Sequence, residues 1–281
     1  MNPLRAESVS RLVMLAALLF ASFTVSAQAV PVSVKVNGEV AVVRIGTAAA
    51  PIADLTLTFD DASGLSASSL GVSAELVSLS NPAILSRLAD PKLLQIDPAF
   101  PLLITVEPPA SGGLSFLRTV RVEVHTHALA YSIGSSYRLF KAPLGGQFRD
   151  ISDEIAPGSV RARGTTSGFS QFLVLTDLRQ SDVVMVEKFA ALWATLATLP
   201  ASQREPLSTL LSSAEAAVAS EDYVSAGNGL DAFRAEVAAR AGNGIDQQWR
   251  AGGALANPAG ALLAGAATLK FSIAYLRDYG L

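Results

Sequence analysis

The apolar residues of this chain change their period once, and that change limits what it can fold into. Up to Asp177 they recur mostly at every second position, the spacing that puts side chains on one face of a strand. Beyond it they recur at every third or fourth position, the spacing of a helix face. This order predicts a mainly β region followed by an α region, not alternating strand and helix units. VSVKV and EVAVVRI, from Val32 to Ile45, flank Asn37-Gly38, a pair tolerant of positive φ, so a two-residue type I′ hairpin is expected. Further strands are expected at 54–60, 73–79, 101–107, 118–129, 137–142, 159–164 and 169–177, separated by Gly, Pro, Ser and Asp turns. Short strands so punctuated predict an Ig-like β-sandwich over residues 30–178. Asn81-Pro82 ahead of AILSRL predicts a capped helical turn, and ISDEIAPGS (151–159) a second single turn.

Residues 179–281 predict an antiparallel helical bundle. Ser181 is the expected cap of a helix whose stripe is Val183, Val186, Phe189, Ala190, Trp193, Leu196 and Ala197, stopped by Pro200. A second helix is expected from about Pro206 to Ser220, a third from Asp222 to Ala241 before Gly242-Asn-Gly244, and a last over 261–276. The last is nearly apolar, but Lys270, Ser272 and many small residues weaken its case as a membrane anchor. It reads as a buried helix.

The first 29 residues read as a signal peptide. Arg5 and Arg11 precede the apolar run Leu12 to Val25, and VSAQA offers small residues for cleavage after Ala27 or Ala29. Cleavage after Ala29 removes two arginines and one glutamate, leaving 19 basic and 23 acidic residues and a net charge of −4. The basic residues are scattered, so nucleic acid is not an expected partner. The chain has no cysteine, which excludes disulfides, a lipoprotein anchor and thiolate chemistry. A secreted or periplasmic location follows as the expectation.

Both histidines lie in RVEVHTHALAY (121–131). Strand alternation puts Glu123, His125 and His127 on one face with Arg121 and Tyr131, and Val120, Val122, Val124, Thr126 and Ala128 on the other. A His-x-His pair on one face suits zinc or copper. Glu123 and His127 stand about 13 Å apart along a straight strand, too far to share an ion, so a third ligand must come from a neighbouring strand. Asp60-Asp61 and Asp150, Asp153 and Glu154 lie near expected loops where calcium could bind, although neither group has the spacing of a calcium loop. GFSQF (168–172) lacks the second glycine of a nucleophile elbow, and the chain has no P-loop, G-x-G-x-x-G or H-E-x-x-H. Trp193 and Phe189 read as core residues, while Trp249 and Tyr131 are freer to stack on a sugar or partner. No catalytic or cofactor-binding residue is assigned.

The runs 142–179 and 55–78 resemble an uncharacterised family of secreted bacterial proteins, a domain of unknown function, which implies no activity. LSTLLSSAEAAVASEDYVSAGNGLDAFRAEVAARAGNGI (207–245) resembles the FIMAH helical module appended to secreted bacterial enzymes and surface proteins, departing at Arg234-Ala235-Glu236. The expected function is an exported, non-enzymatic envelope or extracellular binding or structural module, with an unknown protein or carbohydrate partner. The competing expectation is a secreted hydrolase using a His125/His127 metal site or loop carboxylates.

Overall fold

A computed structural model describes residues 28–169, 171–253 and 256–280. The signal-peptide reading up to Ala27 lies outside them. Among the described residues there are fourteen strands and six α-helices. The strands are β1 (Gln28–Val30), β2 (Val32–Asn37), β3 (Val40–Gly46), β4 (Pro51–Ser63), β5 (Val72–Leu76), β6 (Leu94–Ile96), β7 (Leu102–Val106), β8 (Ser115–Ala130), β9 (Tyr137–Ala142), β10 (Arg149–Asp150), β11 (Ser152–Ala156), β12 (Ser159–Thr166), β13 (Gln171–Asp177) and β14 (Gln248–Arg250). The helices are α1 (Ala67–Leu70), α2 (Pro82–Leu85), α3 (Ser181–Ala197), α4 (Ala201–Ala219), α5 (Tyr223–Arg240) and α6 (Pro258–Tyr279).

The strands form two antiparallel sheets. One runs β1-β5-β7-β13-β9-β10 with β6 also on β13; the other runs β11-β12-β8-β4-β3-β2 with β14 also on β8. Their facing sides share one apolar core, in which Phe100, Ile104, Val106 and Phe172 meet Ile45, Leu55, Leu57 and Phe116. Phe140, Leu173 and Leu175 are buried on the opposite face of the first sheet with Ile84, Leu88 and Phe148, which is why FLVL is apolar without alternation.

The second sheet obeys the alternation closely, as the burial of Val43, Ile45, Leu55, Leu57, Val122 and Val124 shows. Its first hairpin forms where expected but one residue later. Asn37 pairs with Val40, so the loop is Gly38-Glu39. Gly38 has φ +56 and Glu39 does not have positive φ, which fits a turn of the II′ kind rather than I′. Glu39 is held from outside the hairpin, its carbonyl accepting from Phe59 N and its carboxylate from Ala62 N at 2.7 Å. ISDEIAPGS is not a helical turn: Ser152–Ala156 is an edge strand turning back into β12 through Gly158 at φ +106. Asn81-Pro82 does start a helix, with Asn81 Oδ1 accepting from Ala83 N.

The helical region differs in phase from its sequence reading. α3 starts at Ser181 after Gln180, and its buried face is Ser181, Val184, Met185, Lys188, Phe189, Leu192 and Leu196. Val183 and Val186 are exposed. α4 begins at Ala201 with Pro206 inside it, α5 lies where expected with Asp222 as its cap, and α6 runs longer than expected behind Asn257. The four long helices share a second core, including Leu207, Leu230, Phe233, Val237 and Leu269.

Several contacts tie these helices to the sheets, among them Arg138 of β9 over the Tyr275 ring of α6. β14, between α5 and α6, pairs with β8, and Trp249 stacks on Phe116 at 5.0 Å. Trp249 is therefore part of an aromatic cluster with Phe116 and Phe169, and Tyr131 packs partly buried against the inter-sheet core. Asn257 caps α6 through Gly260 N and donates to the carbonyls of Arg118 and Ser167. Lys188 of α3 donates to Asp150 Oδ2 at 2.7 Å, to Ser272 Oγ at 2.9 Å and to the Thr268 carbonyl at 3.0 Å. Burial pushes the Asp150 carboxyl up, but Lys188, Arg138 and the hydrogen bonds from Lys188 and Ser152 outweigh it and hold it below its ordinary value.

Removing one partner of such a pair strands the other charge, which costs about 3–5 kcal/mol. Lys188→Met should lower unfolding free energy by about that much in urea titrations, and adding Asp150→Asn should recover part of the loss. Because the folded carboxyl titrates below its unfolded value, the pair's contribution is present above about pH 4 and lost as pH falls through the folded value. The Lys188→Met variant should lack that component of acid destabilisation.

Candidate functional site

β8 is bent twice by residues in the left-handed region, Arg118 at φ +54 and His127 at φ +51. An L-residue with a Cβ resists this conformation, so surrounding contacts must impose it. At the first bend the register with β4 shifts between Phe59 and Asp61, a β-bulge whose carbonyl at Arg118 receives Asn257. At the second the register with β12 shifts between Ser159 and Arg161. The bend ends the alternation, so Ala128, expected inward, is exposed and Leu129 is buried instead.

That second bend assembles the site. Asp54 of β4 lies directly across from His125. Its Oδ2 stands 2.9 Å from His127 Nε2. The two imidazole rings lie 4.2 Å apart, centroid to centroid. One nitrogen from each histidine and one oxygen from Asp54 all fall within 4.8 Å of one another. In a flat strand His125 and His127 would stand parallel about two residues apart; the left-handed turn tilts the second ring toward the first and over Asp54. His125 Nε2 meets Ser159 Oγ at 2.7 Å on the other flank. Arg44 Nε approaches Asp54 Oδ1 at 3.6 Å.

The surroundings of His125 favour its neutral form. Burial lowers the His125 pKa, with further lowering by Arg161 and His127, against which Asp54 and Glu123 act less. A neutral imidazole is the ligand form. Glu123, on the same face, is committed elsewhere: its oxygens receive Arg161 Nη1 at 2.7 Å and Arg163 Nε at 2.5 Å. Burial raises its pKa, and these two guanidiniums more than reverse the rise. The strand-rise argument against Glu123 as a ligand thus has a positive counterpart in its ion pairs. Asp54 is the third candidate ligand, which sequence reasoning left unnamed. It was visible only as the first residue of DLTLTFD, and nothing in the sequence says that this strand neighbours RVEVHTHALAY.

The carboxylates considered for calcium are spread over separate partners. Asp60 accepts from Thr119 Oγ1 and N and from Arg118. Asp150 binds Lys188, Asp153 accepts from Thr165, and Glu154 pairs with Arg121 and Arg163. These are ties between strands and helices, not a converging oxygen cage.

A family model described as "Family of unknown function (DUF6689)" matches residues 14–277. No curated protein and no solved structure matches the chain.

Strand propensity favours valine over histidine in β8, but a β-branched residue is strongly disfavoured at positive φ. His127→Val should therefore lower stability by about 1–2 kcal/mol, whereas His127→Gly, free of that penalty, should stay within about 1 kcal/mol of the parent. Urea unfolding of the two variants distinguishes an imposed left-handed His127 from an ordinary strand residue.

Proposed function

We propose, for a chain that belongs to the DUF6689 family of unknown function, an exported binding module without enzymatic activity whose binding centre is Asp54, His125 and His127. The centre takes one divalent transition ion of the zinc or copper class. The observation carrying this is the convergence of two imidazoles and a carboxylate from adjacent strands within 4.8 Å, one of them placed by a left-handed backbone. Two nitrogens and one oxygen suit zinc or copper; calcium prefers oxygen throughout. Coordination through His127 Nε2 would replace its hydrogen bond to Asp54, with the proton of the neutral ring carried on Nδ1. Ser159 holds His125 from the side, in the manner of groups that orient metal ligands.

The remaining parts of the reading rest on separate supports. Export is supported by the N-terminal charge and apolar pattern. Cleavage after Ala27 would leave β1 whole, since that strand begins at Gln28 and pairs with β5. We read the two sheets as an Ig-like sandwich and the four long helices as a bundle laid against it, with the FIMAH likeness falling on α4 and α5. α6 is long and apolar enough to cross a membrane by length and composition, yet more than half of its apolar window is buried. We take it as a core helix and not an anchor. Of the competing hydrolase reading, the branch that uses a His125/His127 metal site requires a substrate bed at the histidines, and the branch that uses loop carboxylates does not. The trio instead stands on the exposed face of the second sheet, apart from the two clefts at the helix-sheet junction.

Elemental analysis of protein loaded with zinc and dialysed should give about one ion per chain. Asp54→Asn and His127→Gln should each weaken zinc by about tenfold or more, while Glu123→Gln should leave it unchanged. Loss of stoichiometric zinc in the parent, or its retention in both ligand variants, would sink the proposal.

A further inference from the structure

Lys141 lies on β9 at the open end of the space between the two sheets, where the helices close over it. Part of its stem reaches the surface of a cleft, and its ammonium is enclosed. Among the described residues its one hydrogen-bond partner is Thr166 Oγ1, at 2.7 Å. No carboxylate pairs with it within 4.0 Å there. The contrast with Lys188, in the same cleft, is instructive: Lys188 uses all three of its protons, on Asp150, Ser272 and Thr268. Among the described residues Lys141 uses one of three.

The cleft itself measures about 770 Å³, within the range of roughly 300–1,000 Å³ usual for small-ligand sites. Phe148, Ala191, Leu192, Ala261, Ala264 and Gly265 form its apolar wall, from the loop before β10 and from α3 and α6. The other charged groups that line it have partners or reach solvent. Asp150 and Lys188 neutralise each other, Glu187 receives Arg179, and Arg149 is exposed. One cation therefore lines an apolar trough with, among the described residues, one of its three donors filled. Burial lowers its pKa to about 8, which measures how poorly the surroundings alone support the charge.

From this geometry we infer that the cleft between α3, α6 and the sheet edge binds an amphipathic monoanion, its carboxylate on Lys141 and its hydrocarbon chain along α3 and α6. The carboxylate supplies the counter-charge and acceptors that Lys141 lacks, and the chain covers the small-residue wall. This site is independent of the Asp54, His125 and His127 centre.

Calorimetric titration with decanoate and with decan-1-ol tests it on the full chain from Gln28. Decanoate should bind saturably and at least tenfold more tightly than the alcohol. Lys141→Met, which replaces the charge by an apolar side chain of similar length, should abolish that preference while leaving the protein folded. Ala191→Leu, which keeps Lys141 but narrows the trough, should weaken both probes. Absence of saturable decanoate binding, equal binding of acid and alcohol, or undiminished decanoate binding by Lys141→Met would each overturn the inference.

Discussion

A lysine ammonium placed between two helices and a strand is costly to bury unless partners match its charge and its protons. Lys188 bonds all three, on a β10 carboxylate, an α6 hydroxyl and an α6 carbonyl. With β14 paired to β8 and Asn257 clasping the Arg118 bulge, that bond set fixes α3 and α6 against the sheets. The consequences reach far along the chain. Turning Lys188 inward sets the rotation of α3, sends Val183 and Val186 to solvent, and leaves the trough in which Lys141 stands.

Both candidate centres arise where the regular pattern is broken by a constraint of this kind. β8 is a sixteen-residue strand that could not stay flat against β4, β12 and β14 together, and it yields at Arg118 and His127. The first yield gives α6 a carbonyl to dock on. The second swings an imidazole over Asp54. Regular strands on either side supply the rigidity that a binding constellation needs, and the bulges supply the aim.

Much of the architecture was legible because it depends on local chemistry. Alternation in VSVKV and EVAVVRI, the Asn81-Pro82 start and the helix expected from Asp222 all appear at or within a residue of their expected places. What was not legible depends on which elements become neighbours. ISDEIAPGS reads as a turn until β12 lies beside it. The stripe of α3 read from spacing includes Val183 and Val186, which turn to solvent because Lys188 faces inward to Asp150. The metal candidate shows the same division: His125 and His127 announce themselves in sequence, and the third ligand, Asp54, is a product of strand order alone. Trp249, free to stack on a ligand by sequence, is taken up by Phe116 once β14 joins the sheet.

The central claim is that Asp54, His125 and His127 act together as one coordination centre. X-ray absorption at the zinc edge of the zinc-loaded protein addresses it most directly, because imidazole rings give a characteristic outer-shell scattering. The account predicts two imidazole nitrogens and a carboxylate oxygen at about 2.0–2.2 Å, with solvent completing the shell. A shell of oxygen alone, or one containing a single imidazole, would contradict it.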